Sequence, residues 1–237
     1  MVLLGYINNA EKIIAACSKA TQKEEPADII IGKLTEEAAR KHIGQVLSRG
    51  HESISEFAYF IFSISGVSRV LTHQLVRHRI ASYLQMSSRE RDISEAGFVI
   101  PPQIKKNTTS ARIYKEGLEA SIKKYEELLA NKIAYEDARY LLPDALHTHI
   151  AVAMNARSLN HLFCLRLCTR AQWEIRELAD KMRNIVRPLA PSLFWSEVRP
   201  CVLRGYCPEG KKKSCGFWQS ERFKEECEKY RKGYPNE

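Results

Sequence analysis

The side chains best suited to chemistry in this sequence are concentrated between Arg69 and Arg91. At the centre of this segment, Arg77-His78-Arg79 is followed after seven residues by Ser87. Adjacent guanidinium and imidazole groups are costly to bury unless anionic groups accompany them. Guanidinium groups and short hydroxyls match the tetrahedral oxygens of a phosphate. The pattern therefore predicts an anion-binding segment, although composition alone favours a solvated basic face.

Charge and composition narrow the classes of protein to consider. The net charge is +9 over 237 residues, which favours anionic partners, and the Lys and Arg residues are dispersed along the chain. No apolar run approaches the roughly 20 residues that span a bilayer. The apolar N-terminus lacks a basic leader, so we expect a cytoplasmic protein without a membrane segment. Seven cysteines, an odd number, argue against a disulfide framework.

Helices and strands are both expected around the segment. We predict a strand over residues 2–6, a helix capped by Thr35 that runs to about Ser48, and an amphipathic helix over 109–131. Strict alternation over 145–155 predicts another strand, followed by a helix after Asn155.

Two further predicted elements, a strand and a helix, should determine the position of the central segment. The run from Phe57 to Ser65 is apolar on both faces, which predicts a strand buried on both sides. A helix from about Gly66 would carry Arg69, His73 and Arg77 on one side. Gln74 and Arg77, three residues apart, would then share a helix face.

Polar residues at the ends of the predicted elements are further candidates. His51, Ser53 and Glu56 precede the apolar strand, and Arg139 comes shortly before Leu142-Pro143. Loop polar residues are the plainer interpretation of each. His147 and His149 could suggest a metal site, but no third potential ligand occurs at a spacing typical of metal sites.

Two blocks of this sequence together resemble the flavin-dependent thymidylate synthase family. The first is the Arg-His-Arg-x7-Ser pattern with Gln74 before it and Arg89 after it. The second is Asn-Ala-Arg-Ser from Asn155, then Leu-Arg at Arg166, then Ala-Gln-Trp-Glu-Ile from Ala171. The similarity covers roughly residues 50–187, with Phe57 and Glu90 standing where many members have histidine and an aromatic residue.

The resemblance implies roles for individual residues. Those that would hold FAD are His51, Ser53, Glu56, Arg77, His78, Arg79, Ile80, Asn155, Arg157 and His161. Those that would bind dUMP are Gln74, Arg77, Gln85, Ser87, Ser88, Arg89, Arg139 and Arg166. Arg166 would also polarise the uracil carbonyls, and Ser87 would anchor the substrate without acting as a nucleophile.

The same resemblance implies a reaction and an assembly. The reaction would convert dUMP to dTMP, with methylenetetrahydrofolate as carbon donor and NADPH as reductant through FAD. The fold would be α+β, a mixed sheet flanked by long helices, and the assembly a homotetramer with sites between subunits. Residues 1–200 would form the catalytic domain and residues 201–237 an extension rich in Cys and Lys.

Alternatives to this interpretation come from other classes. A basic nucleic-acid-binding protein would use the same arginines on phosphates, although we expect no nucleic-acid partner. A flavoprotein reductase with another acceptor is a weaker alternative. In the extension, Cys201, Cys207, Cys215 and Cys227 could bind zinc. Their irregular spacing favours free, partly buried thiols, and we expect no metal.

Overall fold

The computed structural model describes residues 1–90, 92–194 and 199–232, which form both helices and strands. The helices are α1 (Ala10–Ala20), α2 (Ala27–Lys33), α3 (Glu36–Ser48), α4 (Arg69–Leu75), α5 (Pro102–Lys105), α6 (Thr108–Ala130), α7 (Tyr135–Ala138), α8 (Ala156–Arg166), α9 (Trp173–Val186), α10 (Pro200–Arg204), α11 (Gly210–Lys213) and α12 (Glu221–Lys232). Short 3-10 helices span Glu52–Phe57, Arg139–Leu141 and Phe217–Gln219.

The strands are β1 (Val2–Tyr6), β2 (Tyr59–Ser68), β3 (Ser82–Gln85) and β4 (His147–Asn155). Within the described residues they form one sheet in the order β1-β2-β4-β3. The predicted α+β class is confirmed. Over the same residues, no helix combines the length and apolar character needed to cross a membrane.

The chain divides into two compact units. The first comprises residues 1–2, 63–79 and 83–152, and the second comprises residues 3–62, 80–82 and those from 153 onward. In the first unit, the long helix α6 is close to its predicted range, and Asn107 caps it by accepting a hydrogen bond from the Ser110 N–H at 2.9 Å. Tyr125 on α6 is fully buried beside Ile93 and Leu146, which forms the core of this unit.

The second unit packs α1 against α2 and α3. Thr35 caps α3 as predicted, because its side chain accepts a hydrogen bond from the Ala38 N–H at 3.1 Å. Two aromatic contacts strengthen the core, since the ring of Phe194 lies 5.6 Å from that of Phe60 and 6.0 Å from that of Phe163.

The prediction that β2 is buried on both sides is wrong. Phe60, Phe62 and Ile64 are buried, but Tyr59 and Ile61 are 47% and 43% exposed. Within the described chain, only one face of this strand is covered. Apolar side chains on both faces of a strand indicate that both faces are covered by protein. They do not indicate whether the covering residues belong to the same chain.

The predicted start of α4 is also wrong. β2 continues to Ser68, whose extended backbone and Oγ cap α4 by accepting a hydrogen bond from the Leu71 N–H at 3.0 Å. The helix ends at Leu75, so Arg77 lies in the turn after it. Gln74 and Arg77 therefore do not share a helix face.

The predicted extension contains a small core of its own. Val202, Phe223 and Cys227 are buried together, and the Arg199 guanidinium lies 4.4 Å from the centre of the Phe217 ring. Residues 233–237 of the predicted extension, like Arg91 at the end of the central segment, lie outside the described residues. A domain boundary at residue 200 stays a prediction.

Candidate functional site

The turn after α4 presents Arg77 and Arg79 to solvent on either side of the buried His78. Tyr83 on β3 holds this turn, because its hydroxyl lies 2.9 Å from the Leu75 carbonyl oxygen and 2.8 Å from that of His78. Burial raises the pKa of Tyr83 to about 12, so the hydroxyl remains a hydrogen-bond donor at neutral pH. The Arg-His-Arg run is thereby anchored through its backbone, which leaves the two guanidinium groups available to a ligand.

Gln85 connects three elements of the first unit. Its amide nitrogen donates to the hydroxyl oxygen of Thr72 on α4 at 3.0 Å and lies 3.4 Å from that of Thr148 on β4. Both threonines are buried. Gln74 donates to the Val70 carbonyl one helical turn earlier, at 3.3 Å. Gln85 is therefore a positioned side chain, and neither threonine was identified from the sequence.

The residues after Gln85 form a compact turn rich in hydrogen-bonding groups. The Ser87 Oγ accepts a hydrogen bond from the Arg89 N–H at 3.1 Å, and Ser88 is buried. The Arg89 Nε lies 2.7 Å from a carboxylate oxygen of Glu136, whose backbone carbonyl accepts from the Arg139 Nε at 3.0 Å. Glu136 thus joins two arginines that were predicted to bind the same anion.

Arg69 belongs to this group and was missed as a site residue. Its guanidinium lies 3.4 Å from the Met86 carbonyl oxygen. Burial lowers the pKa of Arg69, and the nearby charge of Arg139 lowers it further, while Asp144 acts in the opposite direction. Arg69, Arg89 and Arg139, with Ser87, therefore form a cationic group within the first unit, which we call the arginine cluster. Such a group favours a dianion such as a phosphate monoester.

A second charged group lies in the second unit. The Arg157 Nη1 is 2.5 Å from a carboxylate oxygen of Glu56, and the Nε is 3.6 Å from one of Glu52. The hydrogen bond with Glu56 raises the pKa of Arg157. Glu52 was not predicted as a site residue, although Glu52 and Glu56 are four residues apart on the 3-10 helix that also carries Ser53.

The junction of β4 and α8 places the other residues of this unit. Asn155 is buried and caps α8, since its Oδ1 accepts a hydrogen bond from the Ser158 N–H at 2.8 Å. Arg157 and His161 follow one helical turn apart, both exposed, and the half-buried Arg166 is the last residue of α8. One capped helix therefore sets the spacing of three predicted ligand-binding side chains.

The donors in this group fit a flavin nucleotide. A guanidinium carries five N–H groups, so Arg157 retains donors beyond those facing its two carboxylates. His51, Ser53 and His161 are also exposed and can bind phosphate or carbonyl oxygens. Ile80 is 77% exposed, which leaves an apolar side chain open to contact. Arg77, His78 and Arg79 lie in the first unit, and their assignment to FAD stays a prediction.

Comparisons with known proteins agree with the predicted family. A family model described as "Thymidylate synthase complementing protein" matches residues 2–192. The flavin-dependent thymidylate synthase of Clostridium tetani is 42% identical over 230 residues, which cover 90% of this chain and 92% of that protein. The enzyme of the same name from Pyrococcus abyssi is 43% identical over 218 residues, covering 88% and 89%.

A solved structure supports the fold. The UMP/dUMP methylase PolB from Streptomyces cacaoi, bound with 5-Br dUMP, superposes with a TM-score of 0.71 at 21% identity. The superposition covers 82% of this chain and 92% of that one. With the sequence match over most of the chain, these similarities confirm the family predicted from the two blocks. The chain belongs to the flavin-dependent thymidylate synthase family.

Proposed function

We propose that this chain converts dUMP to dTMP by reductive methylation, with methylenetetrahydrofolate as the carbon donor and NADPH as the reductant through FAD. The observation that carries the proposal is the arginine cluster, found in a member of this family. A nucleoside monophosphate presents the dianionic phosphate that such a cluster favours.

The phosphate would be bound by Ser87, Arg89 and Arg139, with Arg69 adding a partly buried positive charge. Because Arg89 already faces Glu136, the phosphate would use the remaining N–H groups of that guanidinium. The substrate site would be completed by Gln74, Arg77, Gln85 and Ser88. Arg166 would donate to a uracil carbonyl and stabilise the negative charge that develops there as C5 becomes nucleophilic.

A flavin fits the hydrogen-bonding groups of the second unit. Bound FAD supplies a hydride carrier between the nicotinamide and the methylene-bearing pyrimidine. Arg157 and His161 would bind its oxygens, with Glu56 orienting Arg157. Further hydrogen-bond donors to FAD would come from His51, Ser53 and Asn155. The FAD site would be completed by Arg77, His78, Arg79 and Ile80.

Covalent catalysis by a cysteine is not favoured by the environment of Cys164, one of the two thiols nearest to Arg166 in sequence. Burial raises the pKa of Cys164 to about 11, so this thiol is protonated at neutral pH. No cysteine occurs between Arg69 and Arg91. These observations favour a protein that positions its ligands and stabilises charge over one that uses a cysteine nucleophile.

We infer that the chain assembles as a homotetramer with active sites between subunits. The apolar side chains of Tyr59 and Ile61, on the face of β2 opposite to the buried Phe60 and Phe62, are 47% and 43% exposed. Neighbouring apolar side chains on one sheet favour burial against another protein surface. Contact between copies of the chain would satisfy this need.

The proposal is tested by absorbance and product assays on the purified protein. We expect visible flavin absorbance, either as purified or after FAD is added. We also expect dTMP only when dUMP, methylenetetrahydrofolate and NADPH are all present. A folded protein that takes up no FAD, yet binds DNA or RNA with a steep salt dependence, would contradict the proposal and support a nucleic-acid-binding protein.

A further inference from the structure

Three cysteines from two distant parts of the sequence occur where the tail of the second unit meets the link between α8 and α9. Cys164 is on α8, Cys168 lies two residues after the end of that helix, and Cys201 is on α10. All three are partly exposed. Burial raises the pKa of Cys201, and negative charge on Cys168 raises it further. Cys201 and Cys168 also raise the pKa of Cys164, after the larger effect of burial.

The packing of the tail supports this proximity independently of the charges. Leu167 and Thr169, the neighbours of Cys168, line the same cleft as Arg199, which precedes Cys201 by two residues. The Cys215 thiol also forms a hydrogen bond with the Thr169 side chain. The tail from Arg199 onward therefore lies beside the link between α8 and α9, at the residues on either side of Cys168.

These thiols have no part in the proposed reaction. Across the described residues, no group of three His, Cys, Asp or Glu side chains is arranged to hold a metal ion. Cys227, which could complete a four-cysteine site, is instead buried beside Val202 and Phe223, with its sulfur 3.7 Å from the Val202 carbonyl oxygen. The other cysteines could still form disulfide bonds with one another.

We propose that Cys168 and Cys201 form a reversible disulfide that fastens the tail to the link between α8 and α9. The oxidant would be a small-molecule disulfide such as oxidised glutathione. The bond would close a loop that contains α9 and would restrain the residues immediately after Arg166. A covalent loop of this kind stabilises a protein mainly by restricting its unfolded chain.

The reaction is an ordinary thiol–disulfide exchange. The thiolate of one cysteine attacks a sulfur of the oxidant, whose S–S bond breaks and releases one glutathione thiolate. The second cysteine loses its proton to solvent and attacks the mixed disulfide, which releases a second glutathione thiolate. Two protein thiols are oxidised by two electrons and one small-molecule disulfide is reduced. Because the attacking species is the thiolate, formation should become faster as pH rises.

Mass spectrometry of the full-length protein, folded and treated with oxidised glutathione, tests the pairing. Trypsin cleaves after Arg166 and so separates Cys164 from Cys168. It also cleaves after Arg183 and Arg204, because proline protects the bonds after Arg187 and Arg199. We expect a non-reduced digest to contain peptide 167–170 linked to peptide 184–204, and reduction to release both.

Variants distinguish this pairing from incidental oxidation. The link should be absent in Cys201→Ser and in Cys168→Ser, and present in Cys17→Ser, a matched change of another half-buried cysteine. Oxidation should raise the thermal unfolding midpoint of the wild type and of Cys17→Ser but not of Cys201→Ser. A link from Cys201 to any other cysteine would overturn the proposal. So would glutathione retained on Cys201, or complete absence of a link.

Discussion

Arg157 is held on one side by two carboxylates and is open to solvent on the other, since half of its side chain is exposed. An exposed ion pair contributes little to stability because water and salt screen it. If Arg157 serves FAD, its removal should affect the cofactor far more than the fold. A substitution of Arg157 can therefore distinguish an effect on FAD binding from an effect on stability.

We expect Arg157→Ala to weaken FAD binding by roughly tenfold or more, since one charge-assisted hydrogen bond is lost. Unfolding by urea should be almost unchanged. Arg112→Ala provides the matched control, because Arg112 forms an exposed ion pair with Glu116 at 2.9 Å on α6. A titration of flavin absorbance measures the first quantity, and equal affinity in the two variants would remove Arg157 from the cofactor site.

Ser87 accepts a hydrogen bond from the backbone of Arg89, which fixes the position of this hydroxyl beside one residue of the arginine cluster. In the proposed site the hydroxyl anchors the phosphate of dUMP. Ser87→Ala should raise the KM for dUMP by about 10- to 150-fold, the equivalent of about 1.5–3 kcal/mol. Activity at saturating dUMP should persist. Loss of a nucleophile would instead cost roughly a millionfold in kcat.

The control for this variant is Ser214→Ala, because the Ser214 Oγ accepts from the Gly216 N–H at 3.1 Å in the same two-residue geometry. Steady-state assays of dTMP formation should leave that variant unchanged. If Ser87→Ala binds FAD and dUMP normally but forms no detectable dTMP, Ser87 is not merely an anchor.

Some site residues could be identified from the sequence and others could not. Arg89, Arg139, Glu56 and Arg157 stand in motifs, so the resemblance identified them before their contacts were known. Glu136 is 47 residues from Arg89, and neither spacing nor periodicity indicates that pair. Such partners become visible only when distant segments are brought together.

The turn between α4 and β3 depends on Tyr83. Tyr83→Phe should destabilise the first unit by about 1–3 kcal/mol, because buried carbonyl groups lose their donor. It should also lower dTMP formation, since the backbone of His78 is released. Urea unfolding and activity assays measure the two effects, and a variant that retains full stability and activity would contradict this role.

The pH dependence of that variant has a definite sign. The pKa of Tyr83 is about 12 in the folded protein and 10 when the side chain is free, so the unfolded chain loses this proton first. The contribution of Tyr83 to stability is complete below pH 10 and declines as pH rises toward 12. Wild-type stability should therefore fall more steeply than that of Tyr83→Phe in this range, by urea unfolding. Tyr125, whose pKa is also raised by burial, accounts for a decline common to both.

Elements with strong local signals were predicted well, and those set by tertiary context were not. Thr35 and the amphipathic period identified α3 and α6, whereas α2 was missed because Ile29–Ile31 is too short a run to classify. The start of α4 was misplaced because strand β2 continues through Gly66, where φ is +67°. Glycine adopts this conformation freely, so the residue neither starts nor ends an element by itself.

The exposed apolar face of β2, with Tyr59 and Ile61, connects the fold to the proposed assembly. Ile61→Glu should dissociate the tetramer, raising its dissociation constant by more than roughly 100-fold, because a charge would be buried at an apolar contact. Sedimentation velocity measures the oligomeric state. Ile113→Glu, which changes an exposed isoleucine on α6, is the matched control and should remain tetrameric. A monomeric wild-type protein would contradict the assembly.

The central claim concerns which molecule supplies the reducing electrons of the new methyl group. In the proposed reaction NADPH supplies them through FAD, so the folate gives up only its one-carbon unit. The decisive measurement is the folate product formed with dTMP from dUMP, methylenetetrahydrofolate and NADPH, separated by chromatography. We predict tetrahydrofolate in an amount equal to the dTMP formed. Accumulation of dihydrofolate would show that the folate is the reductant and would contradict the proposed function.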